Sequence, residues 1–392
     1  MPEPDLRSLR STVADLADDV VALRRDLHHH PELGWHEFRS TAAVADFLAG
    51  GGLDPKVRHG ETGLTVDVGD GRGPTVAFRA DLDALPITEA SGEPFSSGTP
   101  GTMHACGHDV HTAVAAGMAR VLHGMPVAGT IRFVFQPAEE IIPGGAAEMV
   151  GEGVVDDVAS ILAFHVDPSI PPGTVGLRSD AITGASDRLN IELSGPGGHT
   201  SRPHQTVDLV HAAAKLVIDL PAMLQRRTDP RLPIAAVFGR IQGGAAENVI
   251  PTAVHVGGTI RLFDLDVWRA LPGTVAEIVD DIVTPLGATA KVSYEPGSPP
   301  VINDARIVGV VRDAAIEALG DRSVLPTQQS LGSEDFSWFL ERIPGALVRL
   351  GAGVGDRSLD LHSAEFTVDE RCIPSGMLLG AVALLRLLDA ER

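Results

Sequence analysis

Residues 187–194 read DRLNIELS, in which polar and apolar side chains alternate. That period of two belongs to a strand with one face buried and one in water. The pattern of the chain changes at this stretch. Before it, LTVDVGD (64–70), TVAFRADLD (75–83), TIRFVFQ (130–136) and SILAFHVD (160–167) are β-type runs, with an alanine-rich helical segment over 109–122 between them. Strands alternating with helices predict an α/β layer on a largely parallel sheet. From 187 onward the order is strand, helix (206–224), two strands (234–241 and 253–263), helix (266–284) and strand (288–294). This βαββαβ unit of about a hundred residues is the size of a small domain. Past the proline-rich break EPGSPPVIND (295–304), a helix over 305–319, the strand ALVRLG (346–351) and a closing helix near 375–388 resume the α/β pattern. Residues 6–50 read as two helices joined by a proline-containing turn within HHHPELGWHE (28–37). The expected fold class is therefore α/β: one domain formed by 1–185 and 298–392, interrupted by an inserted α+β domain over 186–297.

Composition agrees with two folded domains. The chain has 392 residues, 44% hydrophobic and 21% charged, which is too long for one ordinary core and too apolar for disorder. Its formal charge of -21 argues against nucleic-acid or anionic-membrane partners, which need clustered cations. No cationic-then-apolar leader opens MPEPDLRSLR, and no run of eighteen apolar residues lacks a charge, so neither a signal peptide nor a membrane span is expected. The two cysteines, Cys106 and Cys372, lie far apart and do not form a disulfide framework pattern, so a cytoplasmic address is expected.

The strongest local chemistry lies in MHACGHDVH (103–111). A thiolate and an imidazole two residues apart, Cys106 and His108, with a glycine between them can turn to one zinc-like ion. A Cys–His nucleophile pair is the other chemical reading of the same residues. QPAEEI (136–141) sets Glu139 and Glu140 beyond a strand's carboxyl end, where open α/β sheets build their sites. One carboxylate can bind metal while the other moves a proton. His165 ends the strand ILAFHVD, and His362 lies in DLHSAEF near the C-terminus. Singly these are ordinary residues; together they supply enough donors for two ions if Cys106 bridges them. Which ion each ligand serves is not legible from spacing.

The stretches HHHPELGWHE, FRADLDALP, MHACGHDVH, QPAEE, AFHVD, GPGGHTSRPH, ENVIP, GTIR, GSEDF and LHSAEF resemble, in order, the metallopeptidase family of aminoacylase and glutamate carboxypeptidase. They are most similar to its amidohydrolase branch, that of hippurate hydrolases, N-acyl-L-amino acid amidohydrolases and indole-acetyl-amino-acid hydrolases. The resemblance implies a two-metal exopeptidase-like catalytic domain with an inserted lid and dimerisation domain. It implies that Cys106, His108, Glu140, His165 and His362 bind two divalent ions (zinc or manganese, with nickel or cobalt as further candidates), with Glu139 as general base. Where other members carry a His-x-Asp pair this chain has Asp81 and Asp83; His108 then replaces the missing histidine, and Asp83 orients a ligand. His199 resembles a residue that polarises the scissile carbonyl, and Asn248 and Arg261 resemble residues that grip the substrate carboxylate. Arg202, in HTSRPH, departs from the HGAMPH-like pattern of the family and leaves acyl preference open. The expected activity is hydrolysis of N-acyl amino acids by a homodimer or dimer-based tetramer. A dipeptidase or aminopeptidase on the same metals, and a metal-dependent binding protein without catalysis, are the competing readings.

Overall fold

The computed structural model describes residues 6–59, 62–142, 144–355, 357 and 359–392. The chain divides into two compact units, the first made of Met1–Asp180, Ile302–Gln328 and Asp335–Arg392, the second of Ala181–Val301 and Gln329–Glu334. These limits differ from the expected 186 and 297. The return of Gln329–Glu334 to the second unit is made by backbone pairing: Ser330 N–H donates to Ile182 O and Gly184 N–H to Ser330 O, each at 2.9 Å. No hydrophobic period marks so short a segment, which is why the sequence does not show it.

In the first unit an eight-stranded sheet runs in the order Lys56–Val57, Leu64–Gly69, Thr130–Gln136, Thr75–Asp81, Val158–Asp167, Gly345–Gly351, Val175–Leu177, Val324–Pro326. The four central strands are parallel. Leu64–Gly69 and Val175–Leu177 join them antiparallel, so the sheet is mixed where the sequence suggests a largely parallel one. Burial explains the difference. Thr75–Asp81 is buried at every position, as a strand covered on both faces must be, whereas Leu64–Gly69 alternates and tolerates an antiparallel place near the rim. Phe78 meets Phe164 edge-to-face at 5.0 Å in this core.

The helices Leu6–His29, His108–His123 and Cys372–Ala390 pack on one another. Cys372–Ala390 is long and apolar enough to cross a bilayer, but 78% of its apolar window is buried inside the fold, which makes it a core helix. His108–His123 starts at Gly107, held at φ +81, where a Cβ would lie 2.4 Å from Val166 Cγ2. Only glycine meets both demands, and it brings the helix start against the end of the strand Val158–Asp167.

The second unit is a four-stranded antiparallel sheet in the order Ile234–Gly243, Ala253–Leu262, Ala185–Ser194, Thr289–Glu295. Its helices Leu209–Arg227 and Leu265–Val283 bury Leu216, Leu220, Val275 and Ile278 against the sheet's apolar face. Asp208 and Asp264 cap them by accepting from His211 N–H and Val267 N–H. Asp187, which opens DRLNIELS, is buried and satisfied by Trp268 Nε1 (3.0 Å), Tyr294 Oη (2.5 Å) and Gly297 N–H (2.8 Å).

Candidate metal centre

Three adjacent parallel strands of the first unit deliver their carboxyl ends to one place. Thr75–Asp81 leads to Asp83, Thr130–Gln136 leads to Glu139 and Glu140, and Val158–Asp167 carries His165. The loop before His108–His123 adds Cys106, and the loop after Gly345–Gly351 adds His362, whose N–H donates to Ala105 O at 2.8 Å. Ala138 (φ +53) and His362 (φ +62) hold left-handed backbone. Such conformations cost about 1–3 kcal/mol each and gather at functional sites.

Among the described residues five sets of three donors lie within 4.8 Å of one another. Two of them share Cys106, one with His108 and His165 and one with Glu140 and His362. The others are Asp81, His108 and His111; His108, Glu139 and Glu140; and Glu139, Glu334 and Asp335. Cys106 Sγ lies 3.5 Å from His165 Nε2 and 3.3 Å from His362 Nε2, and His362 Nε2 lies 3.2 Å from Glu140 Oε1. Cys106 thus stands between two donor sets, the arrangement that a bridging thiolate needs. His165 Nδ1 donates to Val166 O (2.8 Å) and His108 Nδ1 to Asp83 O (2.9 Å), so each ring directs its Nε2 inward, where a metal would bind it.

Two observations test whether ions fit. His108 Nε2 and Glu140 Oε1 are buried and make no hydrogen bond among the described residues, an expense that a bound cation removes. The charge balance points the same way. Burial opposes protonation of His108, but Asp81, Cys106 and Asp83 outweigh it and hold the ring well above the ordinary histidine range. The surrounding acidic groups thus favour positive charge at this place. His165, by contrast, is held well below that range, first by burial and then by Arg349 and His111. The thiolate, imidazole and carboxylate donors suit zinc-like divalent ions. Burial also pushes the Cys106 thiol up to about 12. A catalytic thiol nucleophile requires the opposite shift, whereas coordination deprotonates a thiol outright. Its place in two donor sets and this raised thiol both favour the ligand reading of Cys106 over the nucleophile.

Glu139 Oε2 stands 3.9 Å from His108 Nε2, and Glu139 Oε1 accepts the Asp335 N–H at 3.4 Å. Asp83 does more than border the site: one oxygen accepts from Glu140 N–H (2.9 Å) and the other lies 3.2 Å from His108 Nδ1. Asp81 belongs to a donor set with His108 and His111, but both its oxygens are already engaged by side chains. Its Oδ1 takes His111 Nδ1 at 2.7 Å and its Oδ2 takes Arg79 Nη1 at 2.7 Å.

His199, Asn248 and Arg261 all lie in the second unit. The strand Gly198–His199 pairs with Val249–Ile250, and Thr200 N–H donates to Asn248 O (3.2 Å), so two of the three are neighbours. Arg261 sits on Ala253–Leu262 and spends one donor on Leu331 O at 2.5 Å.

Sequence reasoning missed His111 and a buried lattice beneath the ligands. Val166 N–H donates to His111 Nε2 at 2.8 Å, so both ring nitrogens of His111 are engaged and it braces the strand that carries His165. Arg79 reaches Gln136 Oε1 (2.7 Å) and Asp335 Oδ1 (2.8 Å). The available signal was Arg79 and Asp81 standing inside an otherwise apolar, fully buried strand, because buried charges persist only when paired.

Residues 77–389 match the family model described as peptidase family M20/M25/M40. The chain belongs to that family. Among M20 relatives, the N-acetyl-L-cysteine deacetylase of Bacillus subtilis is 36% identical over 97% of this chain and 90% of its own length. A Rhodococcus jostii protein named as a glutamate–cysteine ligase is 42% identical over 94% of this chain, but the chain spans only 47% of that longer relative. Among solved M20 structures, Bacillus subtilis YXEP, described as a dinuclear metal-binding peptidase, has a TM-score of 0.84 and 32% identity, covering 96% of this chain and 99% of that one.

Proposed function

We propose that this M20 protein hydrolyses the amide bond of N-acyl amino acids, giving a carboxylic acid and a free amino acid. The observation that carries the reading is the pair of donor groups sharing Cys106, with the Glu139 carboxylate beside them. Two divalent ions held by Cys106, His108 and His165 and by Cys106, Glu140 and His362 would acidify a water and polarise the amide carbonyl. Glu139 takes the water's proton as its oxygen bonds to the carbonyl carbon, then returns it to the nitrogen as the C–N bond breaks. His199 Nδ1 accepts from Ser201 N–H (3.1 Å), which leaves Nε2 as the ring nitrogen that donates to the developing oxyanion. Asn248 and the remaining donors of Arg261 receive the α-carboxylate, which a guanidinium grips bidentately. The donor set accommodates zinc, manganese, nickel or cobalt. Free, buried Cys106 and Cys372 suit a reducing, cytoplasmic setting. The working form is a homodimer joined through the second unit, whose rim strand Ile234–Gly243 and helix Leu209–Arg227 expose Val237, Ile241, Val210 and Ile218.

The test measures amino-acid release from a panel of N-acyl amino acids and from free dipeptides, on metal-loaded and chelated protein. Glu139→Gln should keep two ions and lose about 10²–10⁴-fold in kcat. A variant that keeps more than about a tenth of activity removes Glu139 as general base. A wild type that prefers free dipeptides replaces the proposed substrate class.

A further inference from the structure

We propose that the turn over residues 32–37 is a brace that locks the Asp83 loop against the Glu139–Glu140 pair, with Glu37 as the positioning residue. The motif HHHPELGWHE supplies none of the proposed metal donors, yet it holds both loops that present them. On one side, Ala84 N–H donates to Glu32 O at 2.8 Å and Leu33 bridges Ala84 in parallel register. The Glu32 carboxylate meanwhile accepts from Ser40 N–H (2.7 Å), Ser40 Oγ (2.8 Å) and Arg39 N–H (3.1 Å), fastening the turn to the start of the helix Phe38–Gly50. On the other side, Glu37, wholly buried, accepts Ala138 N–H at 2.7 Å. Gly34 lies so close that a Cβ would stand 3.2 Å from Ala138 Cα and 2.3 Å from Ile141 Cδ1. The turn therefore meets the chain immediately before and immediately after Glu139 and Glu140.

Asp83 closes the circuit by accepting Glu140 N–H at 2.9 Å. The left-handed Ala138 is thus pinned by its N–H on Glu37 and by its carbonyl, which accepts Gly145 N–H at 3.1 Å. Released, Ala138 would relax toward ordinary backbone and swing the two carboxylates away from His108 Nε2, to which each now stands at 3.9 Å. What Ala138 uses is an acceptor oxygen rather than a charge. Burial, reinforced by Asp83, raises the Glu37 carboxyl to about 7, so much of it is neutral near neutral pH.

The proposal rests on the two-metal reading for its metal and turnover readouts, and is separable from it through the backbone. The experiment compares full-length wild type, Glu37→Ala, Glu37→Gln and Gly34→Ala by amide exchange of Ala138 and Glu140 in the metal-free state, metal affinity by chelator competition, and kcat against KM. In Glu37→Ala the two amides should exchange faster by about tenfold or more, and the weaker-held ion should bind about 10–100-fold less tightly. Its kcat should fall by a similar factor while KM stays within about threefold. Glu37→Gln should restore most of each property, which a merely space-filling role would not predict. Glu37→Ala with unchanged exchange and affinity, or Glu37→Ala and Glu37→Gln equally damaged, overturns the brace. If Glu37→Ala does not fold, Gly34→Ala decides: loosened amides at a retained melting temperature support the brace, and a wild-type profile sinks it. A wild type that binds fewer than two ions counts against the metal reading alone, since amide exchange still judges the brace.

Discussion

Cys106 is common to the two donor groups proposed to hold the ions, and that sharing gives its removal a testable consequence. Removing His165 or His362 subtracts a donor from one group, whereas removing the thiol subtracts one from each. Cys106→Ser should therefore lose both ions, while His165→Ala and His362→Ala each weaken one preferentially. A serine hydroxyl does not replace the thiolate, because it stays protonated and is a poor ligand for soft-accepting ions. Metal stoichiometry of the intact protein by mass spectrometry checks this; a Cys106→Ser protein that retains one ion at wild-type affinity would show that the thiol belongs to a single site. Ligand exposure adds to the contrast. His362 is half exposed whereas His108 is buried, so the group holding His362 is the one open to an incoming water or substrate.

Elements hold these residues through buried charge. The helix Leu6–His29 presents Arg24 and His28 to Asp109, in the first turn of His108–His123: Arg24 Nε lies 2.7 Å and His28 Nδ1 2.8 Å from Asp109 Oδ2. His28 Nε2 continues to Glu89 at 3.2 Å. Because Asp109 follows the ligand His108, the network fixes the helix end that carries it. Asp109→Asn removes the nearer of Arg24's two acidic partners and leaves Glu370 at 3.3 Å, so the loss should be at most about 3–5 kcal/mol, the cost of a fully broken buried pair. The pH window follows from the signs. Burial works against a charged His28, but Asp109 and Glu89 hold it above its ordinary 6.5, so its contribution is present below 6.5 and fades as pH rises through the raised value. Burial likewise works against Glu89, but His28 and Ser91 draw it down to about 2, so its contribution is present above 4.5 and fades as pH falls toward 2. The stability gap between wild type and Asp109→Asn should be widest between pH 4.5 and 6.5 in denaturant unfolding. A gap below about 1 kcal/mol would mean the helices are held by packing alone. Long periodic elements of this kind were legible in the sequence: both N-terminal helices, the helix begun by MHACGHDVH and the whole βαββαβ order stand where their periods put them. Illegible were contacts with no local pattern. Asp335 bonding Arg79 across the chain, His111 facing Asp81, and Gln329–Glu334 rejoining the second unit depend on tertiary proximity. The candidate donors were legible in the sequence but their distances were not, because those depend on loops far apart in the chain.

At the scale of the whole molecule, charge sets the problem that the proposed dimer must solve. Each chain carries a formal -21, so two copies repel at low ionic strength, and a dimer needs an apolar surface to outweigh that repulsion. The second unit offers one. Ile234–Gly243 lies at the rim of the four-stranded sheet with its outer backbone edge unpaired by the other three strands, and beside it Leu209–Arg227 exposes Ile218 at 71% and Val210 at 56%. Val237 and Ile241 on the strand are 64% and 53% exposed. Lysine is the residue with which natural proteins block such edges, because a charge cannot be desolvated against a partner strand. The double variant Val237→Lys, Ile241→Lys should therefore be monomeric by sedimentation velocity at concentrations where wild type is dimeric. Its ligand set in the first unit is untouched, so bound metal should remain at the wild-type ratio. Wild-type association should strengthen as salt rises from about 0.02 to 0.5 M, since the Debye length then falls below about 5 Å and screens the repulsion without weakening apolar contact. A dimer that survives both lysines, or one that salt dissociates, would place the interface elsewhere and make it ionic.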